Sequence, residues 1–217
     1  KFFSHKGHDV NILTCNPSYP SKKKYKSFYQ QQKLFNSYEN ADIMRVPTIA
    51  RRSNNIFIIL NYITFVFSSF FFGIYKSIFK KYDIIFIFST SPILSAISAI
   101  LIKKIFKKKA VIWVLDLWPN TLIDLGIIKN KIIIKLFKKI VSFIYDNSDL
   151  IIVQSQSFKV EINKVTSTEC FYFSSWPEEN INLDDQSFSQ KIPKNQKRLK
   201  ILFTGNIGEA QSFESII

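Results

Sequence analysis

From Ile56 to Tyr75 the chain runs for 20 residues without a charge, IFIILNYITFVFSSFFFGIY, and after a short lysine-bearing stretch it starts a second apolar run, Ile84-Ile85-Phe86-Ile87-Phe88. Twenty uncharged residues wound as a helix can cross a hydrocarbon core of about 30 Å. Asn61, Thr64, Ser68 and Ser69 dilute the run, and Lys76, Lys80 and Lys81 close it. The second run has the length and composition of a strand buried on both faces. A helix that feeds such a strand directly fits an α/β layer, packed on a sheet or facing a membrane. The competing reading is an integral membrane protein anchored through 56–75.

The same unit recurs along the chain. Apolar segments at Val10–Cys15, Ile43–Pro47, Tyr82–Phe88, Ala110–Leu115, Leu150–Ser155 and Glu169–Phe173 read as strands. Ile93–Phe106, Lys131–Asn147 and Ser157–Lys164 read as helices, and Gly7 is placed to end a helix just before the first strand. Asn16–Pro20 and the basic, tyrosine-bearing Ser21–Gln32 read as loops. Strands alternating with helices predict an α/β chain with a Rossmann-like, doubly wound parallel sheet. Ligands of such sheets bind beyond the carboxyl ends of the strands, so the loops there hold the candidate residues. The expected organisation is one domain over 1–180, a polar linker over 181–198, and the opening strand and loop of a second α/β domain over 199–217. Lys1 at the start and the unfinished helical pattern at Ser212–Ile217 give the expectation of a fragment.

Charge enters next, because 30 Lys+Arg against 16 Asp+Glu give +14. Such an excess suits nucleic acid or an anionic membrane. The abundance of Lys, Ile, Phe and Asn also follows from an AT-rich coding bias, which needs no partner. The aromatic residues do not interleave with basic ones as in a nucleic-acid module, so no nucleic-acid partner is expected; a basic nucleic-acid-binding module stays as an alternative. Cys15 and Cys170 form no CxxC, and two histidines give no convincing zinc set, so no metal is expected. His5 and His8 beside Gly7 read as structural. No Ser/His/Asp arrangement and no Walker-type loop is present.

Four places remain. Asp116 ends an apolar strand in Asp116-Leu117-Trp118-Pro119. A carboxylate projecting into the crevice there can orient or deprotonate a sugar hydroxyl; capping the next turn is its plain alternative. Trp118 either stacks on a sugar or covers the core. Ser91 and Ser155 offer hydroxyls at strand ends, where turn chemistry is the ordinary explanation. Gly205-Asn206-Ile207-Gly208 follows a strand and precedes a helical pattern, a place where backbone amides can meet a phosphate.

Taken in order, these segments resemble family 4 glycosyltransferases of the GT-B fold. Lys6–Thr14 (KGHDVNILT), Asn16–Pro20 (NPSYP), Tyr82–Ile85 with Thr90-Ser91-Pro92, Trp113–Gly126 (WVLDLWPNTLIDLG), Ser174–Glu178 (SSWPE) and Phe203–Gln211 (FTGNIGEAQ) carry the likeness. DLWP with GNIGEAQ is similar to the O-antigen and capsule branch, which includes fucosamine transferase-like enzymes. The resemblance implies two facing Rossmann-like domains and a retaining transfer of a sugar from a nucleotide donor, expected to be UDP-linked, without metal or other cofactor. It implies a lipid-linked saccharide acceptor and a peripheral location at the cytoplasmic face of the membrane, on anionic lipid. By the same resemblance Gly205, Asn206 and Gly208 contact the donor diphosphate, Asp116 is the acceptor-side catalytic group, and Trp118, Ser91 and Ser155 border the acceptor. The family's first strand with its glycine loop, and most of its donor-binding domain, have no counterpart among these residues. The loop at Ser174-Ser175-Trp176 lacks the family's Pro-Asn. The 217-residue chain alone is therefore expected to be inactive.

Overall fold

Gly7 takes φ +85°, a left-handed conformation that glycine adopts without strain, and it ends helix α1 (Phe2–His5). The His8 amide donates to the Phe3 carbonyl and the Gly7 amide to the Ser4 carbonyl, each at 3.1 Å, which closes the helix and turns the chain into strand β1 (Asn11–Cys15). The structure is a computed structural model that describes residues 2–18, 22–38, 40–52, 54–175, 203–205 and 213.

Beyond β1 come helical turns at Lys22–Tyr25 and Gln32–Phe35 around helix α2 (Lys26–Gln30), then strands β2 (Ser37–Tyr38) and β3 (Ala41–Val46). Helix α3 (Asn55–Phe79) leads to strand β4 (Ile84–Ser89), helix α4 (Ala96–Phe106) and strand β5 (Lys109–Val114). Helices α5 (Asn120–Asp124) and α6 (Lys131–Asp146), strand β6 (Leu150–Val153), helix α7 (Gln156–Asn163) and strand β7 (Cys170–Tyr172) complete the described elements. Where a loop was expected over Ser21–Gln32, the described part is helical, because Phe28 finds Phe35 and the Arg45 guanidinium at 5.1 Å each and Tyr29 donates to the Pro17 carbonyl.

The chain is mixed α/β, as expected. The strands expected in one sheet lie in two. A four-stranded, all-parallel sheet has the order β4-β5-β6-β7, and a three-stranded sheet has the order β1-β3-β2, with β1 parallel and β2 antiparallel to β3. Among the described residues β1 pairs only with β3 and β4 only with β5. An ion pair of 2.7 Å between Asp9, just before β1, and Lys80, just before β4, holds the starts of these two strands side by side.

The four-stranded sheet is apolar on both faces but covered on one. Ile87, Ala110, Ile112, Val114, Ile151 and Val153 are buried with Ile100, Ile144 and Ile162 of the helices α4, α6 and α7. On the opposite face Ile84, Phe86, Phe88 and Phe171 are exposed, and Trp113 lies edge-on between Phe88 (5.5 Å) and Phe173 (5.9 Å). Phe3 of α1 reaches Phe86 at 6.4 Å on this face.

Helix α3 is inside out. Its N-cap Asn54 accepts the Ile56 amide at 2.9 Å. Its inward positions are polar or small: Asn61 donates to the Ile49 carbonyl at 2.6 Å, Ser69 donates to Ser98 of α4 at 2.8 Å, and Gly73 is buried against Ile102. Ile56, Ile59, Ile63, Phe67, Phe71, Tyr75 and Ile78 form an exposed line at helical spacing. Only 17% of the apolar window within Ile56–Phe79 is buried.

Candidate functional site

The carboxyl ends of β4, β5 and β6 come together through polar bonds. Leu115, just past β5, donates its amide to the Ser89 carbonyl at the end of β4 at 3.1 Å and accepts the Gln154 side-chain amide at 3.0 Å. Gln154 follows β6 directly, so one side chain ties two strand ends. The Ser175 hydroxyl donates to the Gln154 side-chain Oε1 at 3.4 Å. Beyond β7, Phe173 donates its amide to the Val153 carbonyl at 2.8 Å.

Asp116 stands next to this clasp, two residues past β5 and partly buried. It does not cap the following turn. That turn is closed by the Thr121 amide and hydroxyl, both donating to the Leu117 carbonyl at 2.9 and 2.8 Å. Among the described residues the Asp116 carboxylate meets no hydrogen-bond donor and no cation. A carboxylate held at a strand end with its acceptor capacity free can take a hydrogen bond from a hydroxyl donor.

Trp118 and Ser91 are brought together. The indole N–H donates to the Ser91 hydroxyl at 3.0 Å, and the ring meets Phe137 of α6 edge-on at 5.7 Å. Both loops carry a cis proline bond, Ser91–Pro92 and Trp118–Pro119. Trp118 therefore covers the helical side of the core, the plainer of its two expected roles, while its polar edge fixes the β4 loop to the β5 loop. Ser91 is exposed.

Ser155 has its own local task. Its hydroxyl accepts the Phe158 amide at 3.3 Å as the N-cap of α7, and it lies 2.9 Å from the Ser157 hydroxyl. It is at the same edge of the sheet as Asp116, but among the described residues no contact joins the two, and turn chemistry accounts for its presence. Gly205 is described; Phe203 beside it packs edge-to-face on Phe213 at 4.8 Å. Asn206 and Gly208 lie outside the described residues, as do Trp176-Pro177, the 181–198 linker and most of 199–217.

A large cavity reaches the same edge. It measures about 1190 Å³ and lies between β1 and β4, with Thr90 and Ser91 at one end. Among the described residues no cluster of His, Cys, Asp and Glu could hold a metal ion.

Sequence reasoning missed Gln154 and Asp149. Gln154 carried a signal, since it directly follows an apolar strand as Asp116 nearly does. Asp149 lies at the opposite, amino end of the sheet. It binds Lys103 of α4 at 2.7 Å, Lys109 at 3.2 Å and the Ala110 amide at 2.8 Å. Burial would raise its carboxyl, but the hydrogen bonds from Lys103, Ala110 and Lys109 outweigh that and hold it at about 2. Asp149 is a structural clasp, remote from the carboxyl-end loops.

Fold and site define an α/β protein whose four-stranded parallel sheet is flanked by helices, compatible with a Rossmann-like fold, with a polar cluster at the carboxyl ends of the strands. No family model matches the chain, and no curated protein matches it.

Proposed function

We propose that this chain is the acceptor-side part of a glycosyltransferase of the GT-B type, resembling family 4, which transfers a sugar from a nucleotide donor to a lipid-linked saccharide at the membrane surface. The observation that carries the proposal is Asp116: a carboxylate with no partner among the described residues, at the carboxyl end of a parallel strand, beside the joined Trp118 and Ser91. That is where an α/β sheet presents its ligand, and a carboxylate there can orient an acceptor hydroxyl or take its proton. The motif series ending in FTGNIGEAQ supports the same reading and assigns Gly205, Asn206 and Gly208 to the donor diphosphate.

The membrane side rests on two helices. The exposed line of α3 offers lipid a continuous apolar surface. Helix α6 exposes Lys131, Lys135, Lys138 and Lys139 together with Ile132 and Leu136. Lysines near an anionic lipid surface contribute about 1 kcal/mol each. Helices α3, α4 and α6 pack in series, so both surfaces belong to one helical layer. Peripheral docking at the cytoplasmic leaflet is the arrangement this supports best.

The test compares vesicles of equal charge with and without a lipid-linked saccharide. The chain should bind the saccharide-bearing vesicles more tightly, and Asp116→Asn should remove most of that difference while leaving binding to plain vesicles unchanged. Equal binding to both vesicle types by the wild-type chain would sink the acceptor reading.

A further inference from the structure

The geometry points to Gln154 as the residue that positions Asp116, an inference that rests on the acceptor reading for its consequence and on backbone geometry for its mechanism. Strand β5 pairs in parallel with β4 and β6, with Val114 opposite Ser89 on one side and Val153 on the other. One residue further on, the Leu115 amide still donates to the Ser89 carbonyl at 3.1 Å. In a regular parallel strand the amide and carbonyl of one residue face the same neighbour. The Leu115 carbonyl departs from this. Among the described residues no backbone amide donates to it, and it accepts the Gln154 side-chain amide at 3.0 Å, from the residue that follows β6. The ladder therefore ends inside Leu115, and a carbonyl without a strand partner is taken by a side chain.

That carbonyl belongs to the peptide unit whose other end is the Asp116 nitrogen. The unit is planar, so a bond that fixes its oxygen fixes the direction in which the chain enters Asp116. Downstream the chain is anchored as well, because the Leu117 carbonyl accepts both the amide and the hydroxyl of Thr121, and the Trp118 indole donates to Ser91. With both flanking segments held, the direction of the Asp116 Cα–Cβ bond is set. The Asp116 carboxylate has no hydrogen bond of its own among the described residues, so its aim depends on this backbone. The Ser89 bond is backbone to backbone, and any residue but proline at 115 could make it. The bond from 154 needs a side chain of this length that ends in a donor. Asparagine is one methylene shorter, and an ionised glutamate would set an acceptor against an acceptor. The other end of Gln154 is used too, since its Oε1 accepts the Ser175 hydroxyl at 3.4 Å. A carbonyl on one side and a hydroxyl donor on the other turn the amide one way, nitrogen toward Leu115.

The experiment uses the 217-residue chain with Gln154→Met and Gln154→Glu. Magnetic resonance of the wild-type chain should show a scalar coupling across the bond from the Gln154 side-chain nitrogen to the Leu115 carbonyl carbon. Gln154→Met keeps the length and loses the donor. In it the amide–Hα coupling of Asp116 should move toward the value of a rotationally averaged chain, while that of Thr121 stays. In Gln154→Glu the same change should appear at neutral pH and reverse as pH falls to about 4.5, where the introduced carboxyl takes up a proton and donates to Leu115 again. At neutral pH both variants should lose about two- to ten-fold of the preference for saccharide-bearing over plain vesicles, the size of one hydrogen bond. Should Gln154→Met fail to fold, the pH reversal in Gln154→Glu decides alone. Three results overturn the inference: an unaltered Asp116 coupling in folded Gln154→Met, no reversal in Gln154→Glu, or an undiminished saccharide preference in a variant whose Asp116 coupling has moved. A wild-type chain without any saccharide preference refutes the acceptor reading instead, and the Asp116 couplings then still decide whether Gln154 positions it.

Discussion

The outward stripe of α3 makes a prediction whose size follows from exposure. Phe67 and Phe71 are 61% and 63% exposed, one helical turn apart, in the middle of the stripe. An aromatic side chain carries about 150–250 Å² of surface, so each presents roughly 100–150 Å² to its surroundings. A helix lying in the interface sinks only about 5–10 Å, and burying half of that exposed surface removes about 100–150 Å² from water for the pair. At about 25 cal/mol per Å² this is about 2.5–4 kcal/mol, or about two to three powers of ten in partitioning. The double substitution Phe67→Ser, Phe71→Ser should therefore nearly abolish sedimentation with anionic vesicles. Its effect on folding should stay within about 0.5 kcal/mol, as for ordinary surface changes. Vesicle co-sedimentation and a thermal melt measure the two quantities on the same preparation. Unchanged partitioning with an intact fold would refute the lipid-facing reading. A melting temperature lowered by many degrees would refute it differently, by showing that protein already covers the stripe.

Raising salt from about 0.1 to 1 M shortens the Debye length from about 10 to 3 Å; vesicle binding should fall by the share that the α6 lysines contribute and keep the share of α3, which sedimentation at the two salts separates. Asp149 is held at about 2, below the ordinary carboxyl, so its stabilisation is complete above about pH 4 and is lost as pH falls through about 2. With solvent screening this is about 1–2 kcal/mol, and Asp149→Asn should lower stability at pH 6 while flattening its acid dependence in denaturant melts. Gly73→Val should destabilise by about 1–3 kcal/mol, because its side chain would enter the space of buried Ile102; a chemical denaturation midpoint reads this directly. Ser155→Ala should cost about 1 kcal/mol through the lost N-cap and leave binding to saccharide-bearing vesicles unchanged, which would distinguish a cap from an acceptor contact.

Much of the fold was legible because local patterns carry it. The continuous apolar runs at Ile84–Phe88 and Ala110–Leu115 mark strands, and Gly7 marks a helix end with the conformation its position requires. Asp116 was legible as a strand-end carboxylate, and the structure removes the alternative that it caps a turn. The orientation of α3 was not legible. Asn61, Ser69 and Gly73 share one helix line, but periodicity does not say whether the polar or the apolar line turns inward. That choice is made by tertiary partners, the Ile49 carbonyl and the Ser98 hydroxyl, which lie 12 and 29 residues away. The division into two sheets was equally hidden, since a strand's sequence does not state which neighbour is present at each edge. Asp149 escaped for the same reason: its partners Lys103 and Lys109 meet it only after α4 and β5 are in place.

Backbone satisfaction sorts the uncovered apolar surfaces of this chain. On α3 every interior amide is bonded within the helix, so its outer stripe needs only apolar cover, and a bilayer supplies that without hydrogen bonds. The aromatic face of the four-stranded sheet is alike in this respect at its inner strands, because the ladders β4-β5, β5-β6 and β6-β7 use their backbone groups. Phe3 on Phe86 shows that a helical element can lie there, and parallel sheets are ordinarily covered on both faces.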